Sequence, residues 1–323
     1  MDLHKRIRNQ PLVNRIGFLI INNLLGGFEL LRNRLMKYWP LAGKVVLRVK
    51  GVKLKMHSNG DDGIVDYLAY KKKWETAEIN IWYILIKRAD LFLDIGANTG
   101  FYTIFSSLLN KEVEIVSFEP HPANFERLVK NIKINKCKNV TTYQKAVGDS
   151  NSKVLFTVPV SNKISLVSSV VDSFSKSYFN IEYKQIVVQQ VSLDTFYTNW
   201  EKYKNVLIKI DVEYYEIMVL KGLKESLIKN SFVILIEVFL YDVLVGNKPG
   251  SKLENNIDRD NLFKVESLLK DAGYSFYLVD ELGILQVDSI GNYISQSNFV
   301  CSKKRHMLRY IPFTNREAIG ELF

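Results

Sequence analysis

Residues 91–105 read LFLDIGANTGFYTIF: an apolar run, a turn holding Gly96 and Gly100, and at once a helical run. A strand that passes to a helix through glycines is the opening half of a β-α-β unit, which limits the chain to folds with a parallel sheet. The pattern then recurs. Apolar runs EIVSFE, VTTYQKAV, VLIKIDVE, FVILIEVF and YSFYLVD alternate with helical stretches that end near Asn110 and cover about 122–135, 214–229 and 262–272. Strands rich in Ile, Val and Leu, separated by helices, predict an α/β fold whose mostly parallel sheet is covered on both faces.

Other segments break this rhythm. Leu12, Ile16, Leu19, Ile20, Leu24, Leu31 and Leu35 recur at helical steps, which predicts an amphipathic helix ahead of Pro40. Lys44 to Met56 alternates like a hairpin, and a helix is expected from about Asp66 to Arg88. The stretch from Asp149 to Gln190 is rich in Ser and Val and predicts a hairpin plus a loop over one end of the sheet. The organisation expected is therefore a basic helical and hairpin extension at 1–56, a main domain at 57–300 with an insertion at 150–190, and a tail at 301–323.

Charge separates the extension from the body. Of 44 basic and 34 acidic residues, twelve basic and two acidic ones, Asp2 and Glu29, fall at or before Met56. That segment carries 12 − 2 = +10, so the remaining 32 basic and 32 acidic residues cancel. A neutral body with one basic end predicts a docking surface for something anionic, such as peripheral contact with an anionic membrane through 1–56. Cys137 and Cys301 make no disulfide framework, the apolar run after Phe18 is too short to span a bilayer, and no small-residue cleavage pattern follows it. The location expected is cytoplasmic, with or without peripheral membrane association.

In open parallel sheets, ligands bind beyond the carboxyl ends of the strands. The first strand ends at Asp94, and Gly96, Ala97, Asn98 and Gly100 form the turn. Glycine there allows positive φ and a close ligand, and the helix that follows offers free N–H groups to a carboxylate. The second strand ends at Glu119-Pro120, placed to accept both hydroxyls of a ribose. A dinucleotide and S-adenosylmethionine both satisfy this arrangement. The dinucleotide fingerprint needs G-x-G-x-x-G, whereas D-x-G-x-x-x-G here has Asn98 at the second glycine and suits a small zwitterion plus ribose better. Later strand ends are acidic too: Asp211 and Glu213 lie two apart, so in an extended strand they share a face, and Glu237 ends the next strand. Three such carboxylates can accept a hydroxyl proton, orient a hydroxyl or hold Mg²⁺. Glu213 and Glu237 can also cap helices or pair with Lys209 and Lys221.

Taken in order, LFLDIGANTGFYTIF, VSFEPHPANFERLVKNIKIN, KAVGD, VSLDTF, LIKIDVEYYEIMVLKGL and ILIEVF closely resemble the FkbM family of S-adenosylmethionine-dependent methyltransferases, over roughly 74–280. The resemblance implies a class I, Rossmann-like methyltransferase fold with a mostly parallel seven-stranded sheet, and O-methylation of sugar or polyketide hydroxyls. It implies cofactor contacts from Asp94, Gly96, Asn98 and Glu119, with Ala146, Val147, Gly148 and Asp149 near the adenine; Glu75 matches an acid often carried ahead of the turn. Tyr214 departs from the family, whose motif has glycine there. It either narrows the site or forces a different backbone.

The expected reaction transfers a methyl group from S-adenosylmethionine to a hydroxyl of a sugar, glycan or related small molecule. Asp211 is the expected base, Glu213 and Glu237 assist, and Mg²⁺ is a candidate second cofactor. One rival is a nucleic-acid methyltransferase, suggested by the basic segment but opposed by acids where a phosphate backbone would lie. Another is a catalytically degenerate module that docks on an anionic membrane.

Overall fold

The computed structural model describes residues 41–160, 168–170, 182–238, 261–292, 298–303 and 305–314. The amphipathic helix expected before Pro40 lies outside these residues. The hairpin does form, from β1 (Ala42–Val49) and β2 (Val52–Asn59) in antiparallel register. Lys55 N and His57 N donate to Asn135 Oδ1 and Asn131 Oδ1, which fixes the hairpin to the helix that carries both asparagines.

The long helix expected over 66–88 is broken. A turn, α1 (Gly63–Asp66), is capped by Asp62, whose Oδ1 accepts from Val65 N at 3.1 Å. A wide turn over Tyr67–Lys71 follows, and left-handed residues Lys72 and Glu75 interrupt the chain before α2 (Thr76–Ile86). From there the alternation is as expected: β3 (Leu91–Ile95), α3 (Phe101–Leu109), β4 (Glu114–Phe118), α4 (Pro122–Asn135) and β5 (Val140–Tyr143). The run VTTYQKAV is divided, because β6 (Ala146–Val147) leaves the main sheet. It pairs with β8 (Tyr183–Val191), which forms the expected hairpin with β7 (Ser152–Pro159). A turn, α5 (Leu193–Phe196), leads to β9 (Val206–Ile210). The helix expected over 214–229 is two, α6 (Glu216–Lys221) and α7 (Lys224–Lys229), separated at Gly222-Leu223. Next come β10 (Val233–Glu237), α8 (Asn261–Asp271), β11 (Ser275–Asp280), β12 (Gly283–Val287) and β13 (Asn298–Ser302).

The main sheet has eight strands, not seven, in the order β12-β11-β13-β10-β9-β3-β4-β5. From β5 to β10 the pairs are parallel; β13 pairs antiparallel with both β10 and β11, and β12 antiparallel with β11. The strands that the β-α-β alternation does not announce are β12, at the edge, and β13, which lies between β11 and β10, with a single 3-10 turn at Ile290–Asn292 described between them. Strand alternation sends Leu93, Ile208, Ile210 and Ile234 to one face and Phe92, Leu207, Val233 and Leu235 to the other, so two apolar clusters sandwich the sheet. Among the described residues no helix is long and apolar enough to cross a membrane.

Candidate active site

The carboxyl ends of β3, β4, β9 and β10 open onto a cleft of about 290 Å³. Twelve of the residues singled out in the sequence line it: Glu75, Asp94, Gly96, Ala97, Asn98, Glu119, Pro120, Ala146, Val147, Asp211, Glu213 and Glu237. Gly100 and Asp149 do not. Asp149 lies to one side of it, where its Oδ1 accepts from Ser150 Oγ.

Both turn glycines have positive φ, but the chain itself fills the space that a side chain would need. A Cβ on Gly96 would lie 1.8 Å from the main-chain oxygen of Asp211, and one on Gly100 would lie 2.4 Å from Leu128 Cδ1. Gly96 lets the turns after β3 and β9 close on each other, and Gly100 lets α3 approach α4. The close neighbour that both glycines admit is protein.

Glu119 is held ready by that turn. Its Oε2 accepts from Asn98 N and its Oε1 from His121 N, each at 2.8 Å, so both oxygens are oriented and each keeps lone-pair capacity. Burial raises its pKa to about 7, against the pull of these amides. His121 caps α4, with Nδ1 accepting from Ala123 N and Asn124 N, and burial brings its pKa down to about 4. Beside Glu119, Asn98 Oδ1 is buried and has no partner among the described residues.

Acids crowd the other end of the cleft around one ammonium. Lys209 Nζ is 2.5 Å from Asp211 Oδ2 and 4.7 Å from the centre of the Tyr102 ring. Tyr102 OH in turn donates to Glu75 Oε2 at 2.7 Å, and burial lifts Glu75 to about 7. Asp94, fully buried, accepts from Thr103 Oγ1 at 2.5 Å, and burial raises it to about 6. Glu213 and Glu237 stand well above the ordinary carboxylate range, first through burial and then through the charge of Asp211. Of the two pairings weighed in the sequence, Lys209 takes Asp211 rather than Glu213 or Glu237.

Glu213 does not reach the cleft along an extended strand. β9 ends at Ile210, and both Glu213 (φ 54°) and Tyr214 (φ 74°) are left-handed. Such residues cost roughly 1–2 kcal/mol each. The turn is held in place by Tyr214 N donating to Glu216 Oε1 at 2.9 Å and by Ser169 Oγ donating to the Glu213 carbonyl at 2.5 Å. Tyr214 is buried and does not line the cleft, so it accepts the backbone of the glycine it replaces without narrowing the site.

Several lining residues had no signal in the sequence. Trp74 and Phe101 meet edge to face at 5.2 Å and form an apolar wall. Phe156, Ser168 and Val170 come from the insertion, which is pinned by backbone bonds between Thr157 and Ser169. Lys209 entered the sequence reading only as a possible partner for the acids; its place in the cleft is signalled by its being the polar residue in an otherwise apolar central strand. The acids do not make a metal centre: among the described residues no group of three or more His, Cys, Asp or Glu is arranged to hold a metal ion.

The family model for the methyltransferase FkbM domain matches residues 94–276, more than half the chain. The chain belongs to the FkbM methyltransferase family, and its sheet is that of a class I methyltransferase with an added edge strand. It is 26% identical over 145 residues to Methyltransferase 1 of Beauveria bassiana (strain ARSEF 2860), a match that covers 42% of this chain and 58% of that one. Among solved structures it is similar to a methyltransferase FkbM from Methylobacillus flagellatus KT, at 14% identity and a TM-score of 0.38, covering 75% of this chain and 55% of the other. It is also similar to a precorrin-6y C5,15-methyltransferase from Geobacter metallireducens GS-15, at 13% identity and a TM-score of 0.37, covering 71% and 88%.

Proposed function

We propose that this methyltransferase uses S-adenosylmethionine to methylate a hydroxyl oxygen of a sugar, glycan or related small molecule. The observation that carries the reading is the half-open Asp211 carboxylate: Lys209 holds its Oδ2, and Oδ1 remains for an acceptor hydroxyl at the cleft. A sugar hydroxyl is a poor nucleophile at neutral pH, so a positioned carboxylate is the group such an acceptor needs.

The residues fit the cofactor. Glu119 has lone pairs left for ribose hydroxyls, Asn98 Oδ1 has no partner among the described residues, and Phe118, Ala146 and Val147 offer an apolar face to a base. When bound, S-adenosylmethionine supplies a methyl group already activated on a sulfonium. Asp211 Oδ1 accepts the proton of the acceptor hydroxyl, while Glu213 and Glu237 orient neighbouring hydroxyls. Trp74, Phe101 and Phe156 exclude water from that end. Holding the reacting groups in line can contribute on the order of 7–11 kcal/mol. The acids do not fit Mg²⁺, since Lys209 supplies the positive charge at their centre.

The test is a screen of sugar and polyol acceptors with methyl-labelled cofactor, followed by Asp211→Asn. That variant is expected to keep S-adenosylhomocysteine binding and to lose about 10²–10⁴-fold in turnover. Undiminished turnover in it would remove Asp211 from the reaction.

A further inference from the structure

Lys209 lies at the centre of the sheet, where a charge is costly. Parallel register sets it beside Asp94 of β3, and alternation along β9 puts it on the face of Leu207, over the apolar cluster that includes Phe92. Only 6% of it is exposed. Burial by itself would disfavour the ammonium, yet its pKa is raised, because Asp211, Glu75 and Asp94 together outweigh the loss of water. Charged and polar groups from the neighbouring elements face it: Asp94 from β3, Glu75 ahead of α2 and Glu78 within it, Tyr102 from α3, Asp211 and Glu213 after β9, and Glu237 at the end of β10.

We propose that Lys209 is a fixed counter-cation and a positioning residue. It locks one oxygen of Asp211, and it offsets the acids so that the cleft does not hold a positively charged cofactor far more tightly than the neutral product. The proposal rests on the methyltransferase reading above, and Lys209 acts through Asp211 rather than on the acceptor. A single positive charge is enough for this role because the remaining acids are otherwise provided for. Tyr102 serves Glu75, Thr103 serves Asp94, and burial followed by the charge of Asp211 pushes Glu213 and Glu237 toward their neutral forms.

A charge effect can be separated from a structural one by comparing two ligands that differ in charge. The full chain, Lys209→Met, Lys209→Arg and Asp211→Asn would each be titrated calorimetrically with S-adenosylmethionine and with S-adenosylhomocysteine, at one pH and ionic strength. Loss of a neighbouring charge is expected to move the ratio of the two affinities by about tenfold. Lys209→Met shifts it toward the sulfonium ligand, Asp211→Asn shifts it the other way, and Lys209→Arg leaves it within about twofold of wild type. A loosened fold weakens both ligands alike and leaves the ratio alone. An unmoved ratio in Lys209→Met overturns the proposal; if that variant does not fold, an unmoved ratio in Asp211→Asn does so. Failure of wild type to bind either ligand overturns the methyltransferase reading, and this proposal with it.

Discussion

Tyr214 occupies a conformation that L-residues avoid, and its ring is buried. Replacing it by alanine removes the ring and keeps the strain, whereas glycine removes both. Tyr214→Gly is therefore expected to be more stable than Tyr214→Ala by about 1 kcal/mol, reversing the usual order for an ordered site, as denaturant midpoints would show. Gly96 behaves oppositely. Its added methyl group meets the Asp211 carbonyl, so Gly96→Ala should cost about 3 kcal/mol or more and lower the melting temperature whether or not ligand is present. A stable, ligand-binding Gly96→Ala would show that the two turns can separate. Residues defined by local spacing were legible in the sequence: Asp94 at the end of a strand, Glu119 twenty-five positions on, and Asp211 after the next central strand. The role of Gly96 was not, because its close neighbour is a main-chain oxygen 115 positions away. Tyr214 raised the right question in the sequence, and the backbone alternative is the one the fold takes.

Elements shape the cleft as much as residues do. The break between α1 and α2 brings Glu75 to the floor in a left-handed turn and sets Trp74 against Phe101. A periodic apolar pattern over 66–88 conceals that break, since helix periodicity persists through a short interruption. The central strands were legible because both of their faces are buried. β12, at the sheet edge, and β13, between β11 and β10, were not, because both pair antiparallel outside the β-α-β alternation that marks the others. Loop and helix are joined below the cleft by Arg127 of α4, whose guanidinium donates to both oxygens of Asp61 at 2.8 and 2.7 Å, with both side chains buried. Arg127→Met leaves the Asp61 charge buried without its counter-ion, with only the Asn59 N–H still donating to it, and should cost about 3–5 kcal/mol in chemical denaturation. A loss below about 1 kcal/mol, the range of exposed pairs, would mean that Asp61 turns out to water.

Across the molecule the buried acids predict an unusual response to pH. Burial raises Glu75, Glu119 and Glu216 to about 7 and Asp94 to about 6, so the folded chain binds protons that the unfolded chain releases above pH 4.5. Stability then falls as pH rises through these folded values. Below pH 6.5 His121, held neutral by burial, pulls the other way. The unliganded melting temperature is expected to rise from pH 8.5 to 6.5, by about 2–4 °C for each kcal/mol recovered. A flat or falling curve over that window would mean that these carboxyls are already ionised in the folded protein. Glu75, Glu119 and Asp94 of these acids line the cleft, so ligand binding is tested most directly by calorimetric titration of the full chain with S-adenosylhomocysteine, beside Glu119→Ala. Glu119 is the better control than Gly96, which the fold itself requires. Wild type is expected to bind saturably and one-to-one, and a folded Glu119→Ala to lose at least tenfold, since a hydrogen-bonded carboxylate contributes on the order of 1.5–3 kcal/mol. Absence of binding to well-folded wild type, or undiminished binding to the variant, would contradict cofactor binding at this cleft.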